Sequence, residues 1–420
     1  MWENDIIMRL KALLLLSLLV SFNLFAQTDH ETLPYSVSGT VVESENGHPL
    51  QYVTVTLSGL KYATVTNSEG GFIIKSATKP QSVEFNLLGF KTASVPFPED
   101  GSPVTVRMER NKLTLNEAIV ISGDPYTILY EAMKKIKVNY PAQPELFDCF
   151  YRETVQKRNR YIYISEAVAQ MLKTSYSRGS VIADRIAIRK SRVLTSPSKK
   201  DTLSVKVVGG PAQAVEFDIV KNNELLNVQE LSKYTFAMDV PELIGDRMQF
   251  AIRLIPNVVE TYPLYDGVIY IDRETLAFTR FDLSLDMSDR DKVTGAILLK
   301  KPAGLRFTPI EVSFRYDYTL SEGVSRVSYV GTKMRFKCDW RRRLIRTDFT
   351  AISELVTTDR HSDSIEIIPR KESFNSREAL SDIAAQIEYD SEFWKDFNII
   401  EPTESLDRAI TKIVRQNAGN

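Results

Sequence analysis

The 420 residues carry 53 Lys and Arg against 54 Asp and Glu, a formal charge of -1. Hydrophobic residues make up 43% and charged residues 25%, the balance of a globular chain long enough for two or three domains, which excludes wholesale disorder. The near-neutral charge gives no steering toward nucleic acid, and the short runs Arg341-Arg342-Arg343 and Lys199-Lys200 read as a solvated strand end or loop.

Residues 1–26 read as a signal peptide. Arg9 and Lys11 precede an apolar stretch from Ala12 to Val20, Ser21 and Asn23 interrupt it, and Ala26-Gln27 is the expected cleavage site. The stretch is too short for a membrane span, which needs roughly 20 apolar residues; an uncleaved anchor is the alternative. Met8 is read as the start, because Glu3 and Asp5 do not suit a basic leader. No Cys follows the apolar run, so a lipid anchor is not expected. No second run is as hydrophobic, so no transmembrane span is expected in the mature chain, and the expected location is the periplasm or the outer-membrane surface.

From residue 33 to 122, short strand patterns alternate with turns. Ser36–Val42, Gln51–Leu57, Ala63–Thr66, Phe72–Lys75, Ser82–Leu87 and Val104–Met108 are separated by Glu45-Asn46-Gly47, Asn67–Gly71 and Leu88-Gly89. This spacing predicts a seven-stranded β-sandwich. The order SGTVV (Ser38–Val42), HPLQYVTVTLSG (His48–Gly59), ATVTNSEGGF (Ala63–Phe72) and VEFNLLGFKT (Val83–Thr92) resembles the carboxypeptidase regulatory-like domain, and Leu113–Ile121 resembles the strand that commonly ends it. The resemblance implies a small transthyretin-like sandwich of the kind that opens many exported proteins of Bacteroidota-type bacteria. Its usual T-D-x-x-G-x-F turn has Asn67 in place of Asp; Asn can still bond the turn's backbone. Gly70, Gly71 and Gly89 are read as structural turn residues.

Asp124 and Pro125 predict the cap and first turn of a helix over 124–139, with Ile128, Leu129, Ala132, Met133 and Ile136 at helical spacing, read as a linker helix. Residues 145–358 read as long antiparallel strands. The runs Asp266–Leu285 and Val312–Phe336 are similar to the curved half-barrel of lipoprotein-carrier proteins, a similarity of pattern alone. Residues 359–420 read as a polar loop and C-terminal helices, Ser376–Ile387 and then one after Pro402 with Leu406, Ile410, Ile413 and Val414 on one face. This tail resembles that of uncharacterised exported proteins with the same N-terminal domain, which implies no activity. The fold class is therefore mainly β: a sandwich, a helix, a large antiparallel curved sheet or half-barrel, and C-terminal helices.

Chemistry is hard to place. Catalytic zinc needs about three protein ligands, usually with His, yet the three histidines, His30, His48 and His361, fall in segments read as loops and turns. No nucleophile elbow and no phosphate loop occurs. Asp282, Asp286, Asp289 and Asp291 read as a solvated strand end. Cys149 and Cys338 lie in separate strand patterns, with two buried free thiols favoured over a disulfide. Tyr161, Tyr163, Tyr316, Tyr318 and Tyr329 read either as a stacking platform or as cross-strand packing, the second being commoner. No catalytic, cofactor-binding or metal residue is assigned and no cofactor is expected. Three readings follow: a non-catalytic envelope protein that binds a partner (envelope protein, glycan or lipid), a carrier of a lipid or other apolar ligand in the half-barrel, and an enzyme with an unrecognised carboxylate site.

Overall fold

The computed structural model describes residues 33–111, 123–177, 183–198, 201, 205–222, 224–340, 347–361, 365, 367–375, 380 and 399–418. The leader with Ala26 and Gln27, His30, the segment Leu113–Ile121, both basic runs and the helix expected over Ser376–Ile387, apart from Leu380, lie outside these.

The sandwich has seven strands: β1 (Tyr35–Glu43), β2 (Thr54–Leu57), β3 (Ala63–Val65), β4 (Gly71–Ser76), β5 (Ser82–Asn86), β6 (Ala93–Pro96) and β7 (Val104–Met108). They form two sheets, β4-β1-β7 and β3-β2-β5-β6. Alternation along each strand turns Val37, Val53, Val55, Phe72, Ile74 and Phe85 into one core. β1 and β7 run parallel, and they approach so closely that a Cβ on Gly39 would lie 2.0 Å from the Val104 carbonyl oxygen.

The remainder is built on an open antiparallel sheet of eleven strands. Helix α1 (Pro125–Asn139) leads into β8 (Glu145–Lys157), β9 (Arg160–Lys173), β10 (Arg185–Thr195) and β11 (Lys206–Val207). Three short helices follow, α2 (Pro211–Glu216), α3 (Ile219–Asn222) and α4 (Val228–Leu231), and then β12 (Tyr234–Met238), β13 (Glu242–Ile244), β14 (Arg247–Pro256), β15 (Tyr265–Asp272) and β16 (Phe278–Leu285). Helix α5 (Arg290–Ile297), β17 (Leu298–Lys300), β18 (Leu305–Ser321), β19 (Val324–Trp340), β20 (Thr347–His361) and α6 (Glu404–Ala418) complete the chain. The sheet order is β10-β9-β8-β20-β19-β18-β16-β15-β14-β12, with β13 beside β14. The turn between β18 and β19 holds Glu322 and Gly323 at positive φ, the conformation a tight hairpin requires. Bulges in β10, β16, β18, β20 and at the β8–β9 turn bend the sheet, and its two end strands stay unpaired with one another.

The sheet has an inner and an outer face. Helix α1 is capped by Asp124, whose side chain accepts from Thr127 N, but it is not a mere linker: Leu129 and Ala132 are buried in the inner-face cluster. Helices α2 to α4 bring Ala212, Val215, Ile219 and Leu231 to the same cluster, while α5 covers the far end with Val293 and Ile297. These short helices stand where the sequence reads as strands and breakers. On the outer face, Phe150, Tyr329 and Val356 pack against Tyr52 and Val65 of the sandwich and against Ile399 and Ile400 of the tail. Helix α6 lays Leu406 and Ile413 on Ile164; Val414, expected on that apolar face, is 43% exposed because the helix turns it away from the sheet.

A row of charges crosses the outer face in register: Asp282, Arg315, Gly331, Glu354, Arg152, Glu166 and Arg192, one from each strand between β16 and β10. The sign alternates except at Gly331. There Tyr329, two residues away on the same strand, lies across the gap and donates its hydroxyl to Glu354 at 3.0 Å. A Cβ on Gly331 would meet that hydroxyl at 2.7 Å. We expect Gly331→Ala to displace Tyr329 and cost about 1–3 kcal/mol, the scale of overpacking a filled core. A denaturant midpoint equal to wild type would show instead that the ring moves aside freely.

Candidate functional site

Among the described residues, the inner face is closed over one half and open over the other. In the closed half, the rings of Tyr176 and Tyr318 pack against Tyr140 at the end of α1. Beneath them lies a buried ionic cluster. Lys173 pairs with Asp184 at 2.5 Å and Asp218 at 2.8 Å, Lys221 pairs with Asp184, and Asp218 accepts from the hydroxyls of Tyr176 and Tyr318, each at 2.6 Å. Each charge has a counter-charge, as a buried ion requires, and none of the four charged residues lines either lobe of the inner-face cavity. Burial alone would raise the Asp184 carboxyl, but Lys173 and Lys221 outweigh it and lower it to about 2.

In the open half, two lobes form one depression. The first, about 290 Å³, is walled by Phe217, Leu225, Tyr265, Leu285, Ile297 and Phe314. The second, about 500 Å³, is walled by Val155, Ile162, Tyr163, Ala351 and the carboxylates Glu153 and Asp201. Val208, Gly209, Gly210, Thr332, Met334 and Ser353 border both. The segment 208–210 thus runs between the lobes. Gly210 has φ +103, and Pro211 then starts α2, so the Gly-Gly-Pro run turns the chain across the cavity. Polar groups gather in the second lobe. Glu153 accepts from the Tyr151 hydroxyl at 2.9 Å, and burial raises its carboxyl above the usual range. Asp201 takes Arg160 and, at 2.8 Å, the Ser196 hydroxyl. An apolar lobe joined to a polar one, at volumes within the range of small-molecule pockets, is a binding site in form.

The residues singled out from sequence are scattered relative to this cavity. Asn67 Oδ1 accepts from the amides of Glu69 at 2.8 Å and Gly71 at 2.9 Å, so it holds the turn as expected. Its Nδ2 also donates to the Glu401 carbonyl at 3.0 Å, a bond that Asp could not make. Thr64 donates to the Ile399 carbonyl at 3.0 Å, and Glu69 accepts from Glu404 N at 2.8 Å. The turn therefore docks the tail. Gly70, at φ +74, would put a Cβ 2.4 Å from the Val41 carbonyl, and Gly71 would put one 3.0 Å from Asn67 Nδ2. Gly89, at φ +83, donates its N–H to the Leu243 carbonyl at 2.7 Å, binding the sandwich to β13.

Other candidates separate. Asp286 accepts from Ser288, and Asp289 caps α5 through the amides of Asp291 and Lys292; Asp282 faces outward beside Arg315. His48 sits in a turn, whereas His361 ends β20 rather than lying in a loop, paired with Asp148 at 3.1 Å, which raises it. Cys149 and Cys338 are free and buried in separate clusters; burial pushes Cys338 up to about 12. The tyrosines form no single platform: Tyr163, Tyr316 and Tyr318 pack on the inner side, Tyr329 and Tyr161 on the outer. Among the described residues no group of three His, Cys, Asp or Glu could hold a metal, and no described helix is long and apolar enough to cross a membrane. Of the cavity and the charge row the sequence singles out Tyr163, Tyr316 and Asp282; the other members are ordinary strand residues until the register aligns them.

Residues 37–120 match the CarboxypepD_reg-like domain family. The regulatory-like domain is the sandwich, and its Asn67 turn is the one that takes the tail. No curated protein matches the chain. Among solved structures the chain is similar to a putative outer membrane lipoprotein-sorting protein domain from Vibrio parahaemolyticus, at 12% identity and TM-score 0.26, covering 58% of this chain and 95% of that one. It is also similar to a DUF1329 family protein from Desulfovibrio piger, at 11% and 0.23, covering 56% and 94%, and to MucB, at 12% and 0.19, covering 56% and 93%.

Two predictions follow from this geometry. Asn67→Asp places a carboxylate against the Glu401 carbonyl and should cost about 1–3 kcal/mol, the scale of a broken buried hydrogen bond; urea unfolding at neutral pH measures it, and an unchanged midpoint would mean the tail is not held there. Asp184 is depressed from 3.8 to about 2, so its contribution is complete above pH 3.8 and is lost as pH falls toward 2. Lys173→Met should cost about 3–5 kcal/mol at neutral pH by leaving carboxylates uncompensated, and should flatten that acid-side slope. A variant with the wild-type slope would show that Lys173 does not set it.

Proposed function

We propose that the chain is an exported, non-catalytic envelope protein that binds an apolar ligand, such as an acyl chain, in the inner-face cavity. The observation that carries this is the apolar lobe of about 290 Å³, continuous along Thr332, Met334 and Ser353 with a lobe whose carboxylates and hydroxyls suit a polar end. An apolar wall removes hydrocarbon from water without chemistry, roughly 25 cal/mol per Å² buried. The leader read at Met8–Ala26 and the regulatory-like domain support export, with the periplasm or the outer-membrane surface as the location. The assignment to binding rather than catalysis is supported by the local work of the candidate carboxylates: Asp286 and Asp289 bond their own turns, and Asp184 and Asp218 are saturated by lysines and tyrosines.

A second reading has its own observation. Half of the inner face is filled by tyrosines and short helices, as in a protein whose sheet serves only as a frame for contact with an envelope protein or glycan. The two are separated by filling the cavity. Thr332 borders both lobes and is half-buried, and Ala214 lines the first. Thr332→Trp and Ala214→Trp should each weaken a fluorescent fatty acid at least about tenfold, equivalent to 1.4 kcal/mol. Val259→Ser, on a side chain 90% exposed, should leave it unchanged. Equal affinity in all four proteins would place the fatty acid outside the cavity and favour the frame.

A further inference from the structure

The outer face carries a second cavity, of about 370 Å³, where the sandwich meets the sheet. Tyr52 of the sandwich forms one side of it, held at φ 62, a conformation rare for a bulky side chain. Ser284, Ser313 and Lys333, aligned across β16, β18 and β19, line it next to Arg315. The Ser284 and Ser313 hydroxyls are small and loosely engaged, with acceptors at 3.3 and 3.5 Å. They leave room where longer side chains would fill the row.

Arg315 is the group without a full set of partners. Its Nε donates to Asp317 at 2.9 Å, Asp282 lies 4.0 Å away, and the Tyr52 ring covers the guanidinium at 4.5 Å. Its Nη2 is closed to solvent and has no acceptor. A buried donor on a cation without an acceptor is costly, so an acceptor that the protein does not supply would fit here. The surrounding charge favours an anion. Among the residues that line the cavity, the cations Arg315 and Lys333 face one carboxylate, Asp282.

We propose that this cavity binds an oxyanion, a carboxylate or phosphate on a small ligand. Arg315 and Lys333 are its charge partners, the hydroxyls of Ser284 and Ser313 are further donors, and the Tyr52 ring is the side that moves to admit it. The site opens on the opposite face of the sheet from the apolar cavity, with Phe314, Thr332 and Ser353 as the shared wall.

The test uses the full chain at low ionic strength, titrated by calorimetry with glucuronate and, separately, with inorganic phosphate. Arg315 is left intact because its removal would also break its bond to Asp317 and empty the space under the Tyr52 ring. At least one probe should bind in the millimolar range or tighter. Lys333→Ala, on a half-exposed side chain, should weaken that binding about tenfold, the loss of a charge-assisted contact. Asp282→Asn should tighten it several-fold by removing the competing carboxylate, a gain that a merely structural role would not produce. Binding of glucuronate alone assigns a carboxylate ligand, and of phosphate alone a phosphate ligand. Absence of binding by both probes at millimolar concentration, or affinities that neither charge substitution moves in variants with native unfolding midpoints, overturns the proposal.

Discussion

The buried pair Arg152–Glu166 is the constraint on which the arrangement of the chain depends. Both side chains are sealed, at 4% and 1% exposure, and their contact is short, 2.6 Å. A pair so buried is stable only if its remaining donors and acceptors are met. Arg192 meets the second carboxylate oxygen of Glu166, and the Ile400 carbonyl accepts from Arg152 Nη2 at 2.8 Å. The two arginines together hold Glu166 below the usual carboxylate range although burial alone would raise it. The last of these partners is not in the sheet. It belongs to the tail, whose next carbonyl, that of Glu401, is bonded by Asn67. Satisfying one buried guanidinium therefore requires the tail to be seated, and seating the tail engages the sandwich.

This coupling explains why the two faces of the sheet differ. The outer face is occupied by the regulatory-like domain, by Ile399 and Ile400 and by α6. Among the described residues the inner face is covered at one side by α1 and elsewhere by helices of four to eight residues, which do not tile a sheet of eleven strands. They close the half where tyrosine hydroxyls reach Asp218, and they leave the half crossed by Gly209 and Gly210. The cavity there is a consequence of unequal cover. Its rear wall is stiffened by the ordered outer face, which is what keeps a dry depression from collapsing.

The strands were legible because period-two alternation and hairpin turns are local properties: the pairings of β15 with β16 and of β18 with β19 follow from Arg273–Thr275 and Ser321–Gly323. So was α1, through Asp124 and Pro125. Helices α2, α3 and α4 were not legible, since a segment of four to six residues is too short to show a helical period. The charge row was illegible for another reason. Arg152, Glu166, Arg192, Asp282, Arg315 and Glu354 each look like the solvated member of an alternating strand. Only the register places them side by side, and only the sandwich and the tail take them out of water. The cavity likewise draws on residues from Glu153 to Ser353.

Asn67 shows how a family pattern and an individual chain diverge. Within the sandwich, an Asp would serve the turn as well, since the bonds from Glu69 N and Gly71 N need only an acceptor. The amide adds a donor, and that donor points out of the domain to the Glu401 carbonyl. The substitution thus costs the sandwich nothing and supplies what the assembled chain needs, a neutral group against a backbone carbonyl where a carboxylate would repel it. Gly331 obeys the same logic from the sheet side. Its missing side chain is a gap in the charge row considered alone, yet it is the space in which Tyr329 reaches Glu354 and meets Tyr52. In both places a residue that looks like a departure from its local pattern is explained by the contact between domains, so the seam between sandwich and sheet is a built interface rather than an incidental one.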